Sequence, residues 1–348
     1  LADLCADSRL CRGGVPRIAP QYSLPLPRTV TAMKPLHTKF ALALFAMFAC
    51  SLAFARPVPP PPSPPAKSQN NFCNPMGGSP TNPMPGNMCF RLNVPYGTDP
   101  LQKLDVYMPA AGAYKAPVIL MVHGGGWYQG DKMDTPVVLN KVMNWVPTGA
   151  IFISIDYPLV PQVNALQEAQ SVARALGYAQ RHAAEWGGDP NKFVLMGFSA
   201  GAHLVSLVAA SPSVVKSIPA TLRPRPWLGT IALDSAAYDV TAMMNNPYHQ
   251  SIFDDAFGAD PKLWNAASPM AQMKARMAPF LAVCSTKEDY SCAWAQQFVD
   301  QAIGYGTDAL VIQQDLDHGD INGYLGLPSD YTSQVSAFMG ALYNGTLN

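Results

Sequence analysis

A serine hydroxyl attacks a carbonyl only when a tight turn exposes it and a neighbouring base takes its proton. Gly197-Phe198-Ser199-Ala200-Gly201 supplies such a turn. It follows the apolar run Lys192 to Met196 and opens an Ala/Leu/Val-rich segment. That is the strand–turn–helix setting the G-x-S-x-G pattern requires, with glycines at flanks where side chains would clash. Ser199 is therefore the candidate nucleophile, and the N–H of Ala200, opening the helix, is aimed at a developing oxyanion. A second glycine turn, His123-Gly124-Gly125-Gly126-Trp127, follows another apolar run. Its consecutive glycines let backbone N–H groups approach a reacting atom, so Gly124 and Gly125 are expected to complete an oxyanion hole. His123 is expected to shape that loop through a structural hydrogen bond.

The nucleophile needs a base, and the base an orienting acid. His182 is expected on a solvated helix, His203 in the core of the nucleophile helix and His249 along a pocket wall. His318 follows the last strand-like run, within Asp315-Leu316-Asp317-His318-Gly319-Asp320. Its place at a strand's carboxyl end, last in the chain, makes it the expected base. The acid is expected after the preceding strand, where Glu288 and Asp289 stand side by side. Asp289 is preferred for its shorter side chain, with Glu288 the alternative. Asp315, Asp317 and Asp320 are expected to cap or shape the histidine's loop.

These residues need a scaffold that gathers strand ends. Phe90 to Tyr96 and Leu101 to Met108 read as strands of an opening hairpin. Ala116 to Val122, Ala150 to Ile155, Lys192 to Met196, Leu228 to Leu233, Pro279 to Cys284 and Asp308 to Gln314 read as further strands, the apolar ones buried on both faces. Helical spacing falls between and after them, at 162–185, 200–210, 292–304 and 329–343. The alternation predicts a mostly parallel, doubly wound sheet with helices on both faces. Ligands of such sheets sit at the carboxyl ends of the strands. The roughly 40 residues between Asp234 and Pro279 are too long for a plain connection and are expected to form a small insertion of short helices over the site. Trp127 and Tyr128, beside the glycine loop, are the expected substrate-binding aromatics.

Composition narrows the partners. The chain has 348 residues, no net formal charge and only 13% charged residues. A nucleic-acid partner is excluded by the lack of any Lys/Arg cluster. Met33 to Ala55 has a basic start, an apolar run from Phe40 to Phe54 and a small-residue exit, the parts of a secretory signal peptide. The run is too short to span a bilayer, so no stable membrane anchor is expected. Residues 1–32 are then expected to be leader sequence ahead of a start at Met33. Residues 56–87 are a proline-rich linker, and 88–348 the catalytic domain. Cys73, Cys89, Cys284 and Cys292 remain after cleavage; the local pairs Cys73–Cys89 and Cys284–Cys292 are the simplest bridges in an oxidising compartment. The protein is expected to be secreted or periplasmic. No cysteine or histidine spacing suggests a metal, and nothing in the sequence sets an oligomeric state.

Taken together, His123-Gly124-Gly125-Gly126-Trp127, Asp156-Tyr157, Gly188-Asp189-Pro190, the Ser199 pentapeptide and His318-Gly319 resemble the α/β-hydrolase superfamily. Within it they resemble the esterase/lipase branch related to hormone-sensitive lipase and to bacterial feruloyl and acetyl-xylan esterases. The resemblance covers about residues 90 to 345. It implies the α/β-hydrolase fold, a Ser–His–Asp triad, no cofactor, and hydrolysis of a small-molecule or polymer-linked ester. The family's Gly-Thr-x-Asp at the acid loop is replaced here by Ser285-Thr286-Lys287-Glu288, so a strict register would select Glu288 over Asp289. An amide hydrolase of the kynurenine-formamidase type shares the His-Gly-Gly-x-Trp pattern, and a hydrolase fold without catalysis, used for binding, is a further alternative.

Overall fold

The computed structural model describes residues 88–288 and 290–347. The expected leader, signal peptide, linker and Cys73 lie outside them, as does Asp289. Eight strands form one sheet: β1 (Met88–Pro95), β2 (Lys103–Pro109), β3 (Ala116–Val122), β4 (Ile151–Ile155), β5 (Gly188–Phe198), β6 (Gly229–Leu233), β7 (Phe280–Ser285) and β8 (Ala309–Gln314). Their spatial order is β1-β2-β4-β3-β5-β6-β7-β8. β1 and β2 pair antiparallel, β2 meets β4 antiparallel, and every pair from β4 to β8 is parallel. This is the mostly parallel, doubly wound sheet expected from the pattern. The hairpin opens one edge and β8 closes the other.

Eleven α-helices complete the described chain: α1 (Thr135–Trp145), α2 (Ala165–His182), α3 (Ala200–Ala210), α4 (Pro212–Ser217), α5 (Val240–Met244), α6 (Ser251–Phe257), α7 (Pro261–Ala267), α8 (Pro269–Gln272), α9 (Ser291–Gly304), α10 (His318–Gly323) and α11 (Asp330–Tyr343). The two faces of the sheet explain its unbroken apolar strands. Val118, Leu120 and Val122 of β3 pack with α2 and α3, while Ile119 and Met121 point to the other side and pack with α1 and α11. Strand side chains alternate with period two, so a strand covered on both sides must be apolar at every position.

Three helices differ from the sequence expectation, the short α4 being one that was not foreseen. α1 was not foreseen; Pro136 at its first turn suits a helix start, and Val137, Val138, Val142 and Trp145 form its buried face. His318 was expected on a loop and instead opens α10, only six residues long. Helices α5 to α8 occupy the stretch after Asp234, where short helices were expected. Among the described residues no helix is long and apolar enough to cross a membrane.

Candidate active site

Ser199 leaves β5 at φ 54°, ψ −119°, as the residue before α3. A β-carbon at Gly197 would lie 2.3 Å from the carbonyl oxygen of Gly201, and one at Gly201 2.4 Å from those of Val122 and His123. Neither contact is tolerable, so both glycines are fixed by the close approach of α3 to β3 and β5. The first-turn N–H groups of α3, Ala200 among them, lack partners within the helix.

The glycine loop closes over the same corner. A β-carbon at Gly124 would stand 2.9 Å from that of Ser199, and one at Gly125, whose φ is +113°, would sit 2.0 Å from the Gln129 carbonyl oxygen. Gly124 thus adjoins Ser199, and Gly125 turns its own carbonyl into a bend, accepting from Tyr128 and Gln129 N–H. His123 holds this loop from beneath. Its Nδ1–H donates to Gly124 O at 2.7 Å, Tyr157 stacks on its ring, and the Tyr157 hydroxyl donates to its carbonyl. Burial lowers its pKa, despite the Gly124 bond and the nearby Asp156, which suits a neutral ring with a structural task.

His318 also reaches Ser199. Its Nε2 lies 2.9 Å from Ser199 Oγ and its Nδ1 2.6 Å from Asp234 Oδ2. With Nδ1–H donated to the carboxylate, Nε2 is free to accept the serine proton. The Phe198 ring packs against the imidazole at 4.7 Å between centroids.

Asp234 is the residue that the sequence argument passed over. It directly follows β6, again at positive φ (54°), and its side chain is only 2% exposed. Its other oxygen, Oδ1, accepts from Ser285 N–H at 2.8 Å and from Ser291 Oγ–H at 2.5 Å. The expected acid, Asp289, falls outside the described residues, and Glu288 lines the cavity while the His318 Nδ1 is taken by Asp234. The two ends of the β7–α9 loop, the last residue of β7 and the first of α9, therefore contribute donors where a carboxylate was expected. The Cys284–Cys292 disulfide closes that loop, with both donors between its cysteines or next to them in sequence. The available signal was the position of Asp234 at the carboxyl end of a buried strand.

A cavity of about 840 Å³ opens on Ser199, Asp234 and His318. Gly126, Ala200 and an edge of Trp127 line it, with Ile252 and Phe253 of α6 and Tyr290 and Trp294 toward α9. Trp127 is 4% exposed, packs edge-on to Phe253 and Phe257, and donates its indole N–H to His203 Nδ1. It is a largely buried strut within the cavity wall. Tyr128, also expected to contact substrate, is about half exposed and does not line the cavity. His203 donates in turn to Ala267 O, and burial pushes its pKa down to about 4. His249 does line the cavity; its two nitrogens face Asn246 O and Asp254 Oδ1, and the Asp254 contact raises its pKa. His182, the last residue of α2, pairs with Glu185 in the turn that follows. Among the described residues no group of three or more His, Cys, Asp or Glu is gathered as metal ligands.

A family model described as BD-FAE matches residues 104–297, more than half of the chain. The chain belongs to the BD-FAE family. The matched span of this BD-FAE protein includes Ser199 and Asp234 and stops before His318. Esterase LipQ of Mycobacterium tuberculosis is 28% identical over 206 residues, 56% of this chain and 48% of LipQ. A probable isoprenylcysteine alpha-carbonyl methylesterase of Arabidopsis thaliana, ICMEL1, is 30% identical over 127 residues, 36% of this chain and 26% of its own. The aligned part is thus about half or less of these curated relatives' length. Among solved structures, esterase B of Lactobacillus rhamnosis aligns with TM-score 0.63 at 18% identity, over 76% of this chain and 90% of its own. Thermogutta terrifontis esterase 2 phosphonylated by sarin aligns with TM-score 0.61 at 21% identity, over 77% and 99%. These likenesses show a shared α/β-hydrolase fold.

Proposed function

We propose that this BD-FAE protein hydrolyses carboxylic esters through a serine acyl-enzyme, with Ser199 as nucleophile, His318 as general base and Asp234 as orienting acid. The observation that carries this is the unbroken hydrogen-bond chain from Ser199 Oγ through His318 to Asp234 Oδ2. Relatives named as esterases in bacteria and plants support the ester class.

His318 Nε2 takes the proton as Ser199 Oγ attacks the ester carbonyl. The buried carboxylate of Asp234 holds the imidazole in the accepting tautomer and stabilises the imidazolium. The N–H groups of Ala200 and of the Gly124–Gly125 segment hold the tetrahedral oxyanion; losing one such donor typically costs about 10²–10³ in rate. The alcohol leaves with the proton from His318. The same nitrogen then activates water, which releases the acid and restores Ser199.

The cavity has room for a bulky acyl or alcohol group, which suits a polymer-linked ester such as a feruloyl or acetyl-xylan ester as well as a small one. Export fits the signal-like segment 33–55 and the Cys284–Cys292 bridge. The test is hydrolysis of p-nitrophenyl esters of rising chain length, methyl ferulate, acetylated xylan and N-formylkynurenine, with labelling by an organophosphonate. Ester turnover and labelling should both vanish in Ser199→Ala while its circular dichroism stays that of the wild type. Activity retained in that variant, or confined to the formamide, would refute the proposal.

A further inference from the structure

Lys141 is a buried titratable side chain that the mechanism does not use. It is fully buried, and its Nζ donates to three uncharged oxygens: Pro136 O at 2.9 Å, Asn322 O at 2.6 Å and Asn322 Oδ1 at 2.8 Å. Among the described residues it forms no ion pair with a carboxylate. Burial pushes its pKa down to about 7, while three oxygen acceptors favour the ammonium form. An apolar chain such as Met would fill that space without the desolvation penalty.

The oxygens it grips explain the expense. Asn322 lies four residues beyond His318, in the helix that His318 opens. A helix of six residues does not sustain itself, and Asp317 at its start makes no side-chain cap. Its far end is held instead. Three consecutive carbonyls, those of Ile321, Asn322 and Gly323, each accept from a side chain of a neighbouring helix: Tyr331 Oη–H at 2.9 Å, Lys141 Nζ–H at 2.6 Å and Asn140 Nδ2–H at 2.6 Å. Of the three donors only Lys141 can carry a positive charge to this carbonyl end, where a helix attracts cations. It also holds the Asn322 side chain and the first turn of α1 at once.

We propose that Lys141 is a positioning residue for His318, fixing α10 against α1 so that the imidazole meets Ser199 and Asp234 together. This rests on the hydrolase mechanism above. A displacement of the order of 1 Å is enough to cost about 10²-fold in rate.

The test compares wild type, Lys141→Met and Asn140→Ala, each checked by circular dichroism and assayed well below its Tm, with Ser199→Ala alongside. In Lys141→Met, kcat for a p-nitrophenyl ester should fall between about 10-fold and about 10²-fold, with KM within about twofold. The low-field proton resonance of His318 Nδ1–H should shift or broaden. A purely structural lysine would lower Tm and leave both readouts where they were, and that result overturns the proposal. If Lys141→Met does not fold, Asn140→Ala decides: a smaller fall in kcat with the same resonance displaced supports the anchored helix, and an unmoved resonance refutes it. Turnover surviving in Ser199→Ala would remove the mechanism itself, whereas turnover lost there but intact in folded Lys141→Met would remove only the role of the lysine.

Discussion

Replacing Asp234 by Asn tests the acid most sharply, because the two sides of its carboxyl group have different partners. Oδ1 accepts two hydrogen bonds, from Ser285 N–H and Ser291 Oγ–H, and Oδ2 accepts one from His318 Nδ1–H. An Asn side chain keeps its oxygen where a backbone N–H demands it, which turns its amide NH₂ toward the imidazole. His318 must then carry its proton on Nε2, facing Ser199, and can no longer accept from it. Loss of the accepting tautomer costs about 10⁴ in kcat in the Ser–His–Asp template, equivalent to about 5 kcal/mol of transition-state stabilisation. KM should stay near the wild-type value, since Asp234 is buried behind the histidine. The assay is steady-state hydrolysis of p-nitrophenyl acetate, with Glu288→Gln and Asp289→Asn as comparators expected within a few-fold of wild type. A collapse in Asp289→Asn together with a nearly intact Asp234→Asn would refute the assignment.

Three further outcomes follow from the geometry. Gly124→Ala, whose β-carbon would crowd that of Ser199 at 2.9 Å, should lower kcat by about 10²–10³ without changing the circular dichroism spectrum; near-normal turnover would remove Gly124 from the oxyanion site. Opening the Cys284–Cys292 bridge with dithiothreitol, or by Cys284→Ala with Cys292→Ala, should lower stability by about 2–3 kcal/mol and depress kcat, with Ser291→Ala reproducing the kinetic loss alone; full activity after verified reduction would show that the loop holds its donors unaided. Glu168, buried and accepting one bond from Val160 N–H, has its pKa raised by that burial to about 9. The folded state therefore binds the extra proton between the ordinary glutamate range and about pH 9, and stability contributed by this group falls as pH rises through that window, by up to about 1.4 kcal/mol per unit. Urea unfolding at about pH 5 and about pH 8 should show this decline in wild type and its loss in Glu168→Gln; equal changes in both proteins would show that the glutamate ionises in place.

Features written locally in the chain were legible before the fold was seen. The sheet was readable because strands covered on both sides must be apolar throughout, as in Ala116 to Val122. Ser199 and His318 were conspicuous because each follows a strand in a short stretch of distinctive residues, and the structure brings them into hydrogen-bond contact. Asp234 was not, since it reads as the first residue of an insertion and lies 84 positions from the histidine it touches. Its selection depends on three-dimensional neighbours, Ser285 and Ser291, whose donors no spacing rule reveals. Trp127 lines the cavity, as its place beside the glycine loop suggests, but its indole N–H partner, His203, lies 76 residues away and could not be read from the sequence. Lys141 was invisible for the same reason, being one lysine in an apolar segment whose partner Asn322 lies 181 residues along the chain.

β5 and β6 are adjacent parallel strands with Phe198 opposite Leu233, and the ladder runs one rung further, through Ser199 N–H on Leu233 O. Ser199 and Asp234, the proposed nucleophile and acid, are consequently joined by the sheet and separate only when it opens. His318 belongs to a short helix held by side chains at its far end, where local opening costs far less than global unfolding. The site should therefore fail in a set order on warming. The imidazole is expected to depart first and reversibly, with amide exchange in α10 quickening while β5 and β6 stay protected, so that activity declines below the melting transition and returns on cooling.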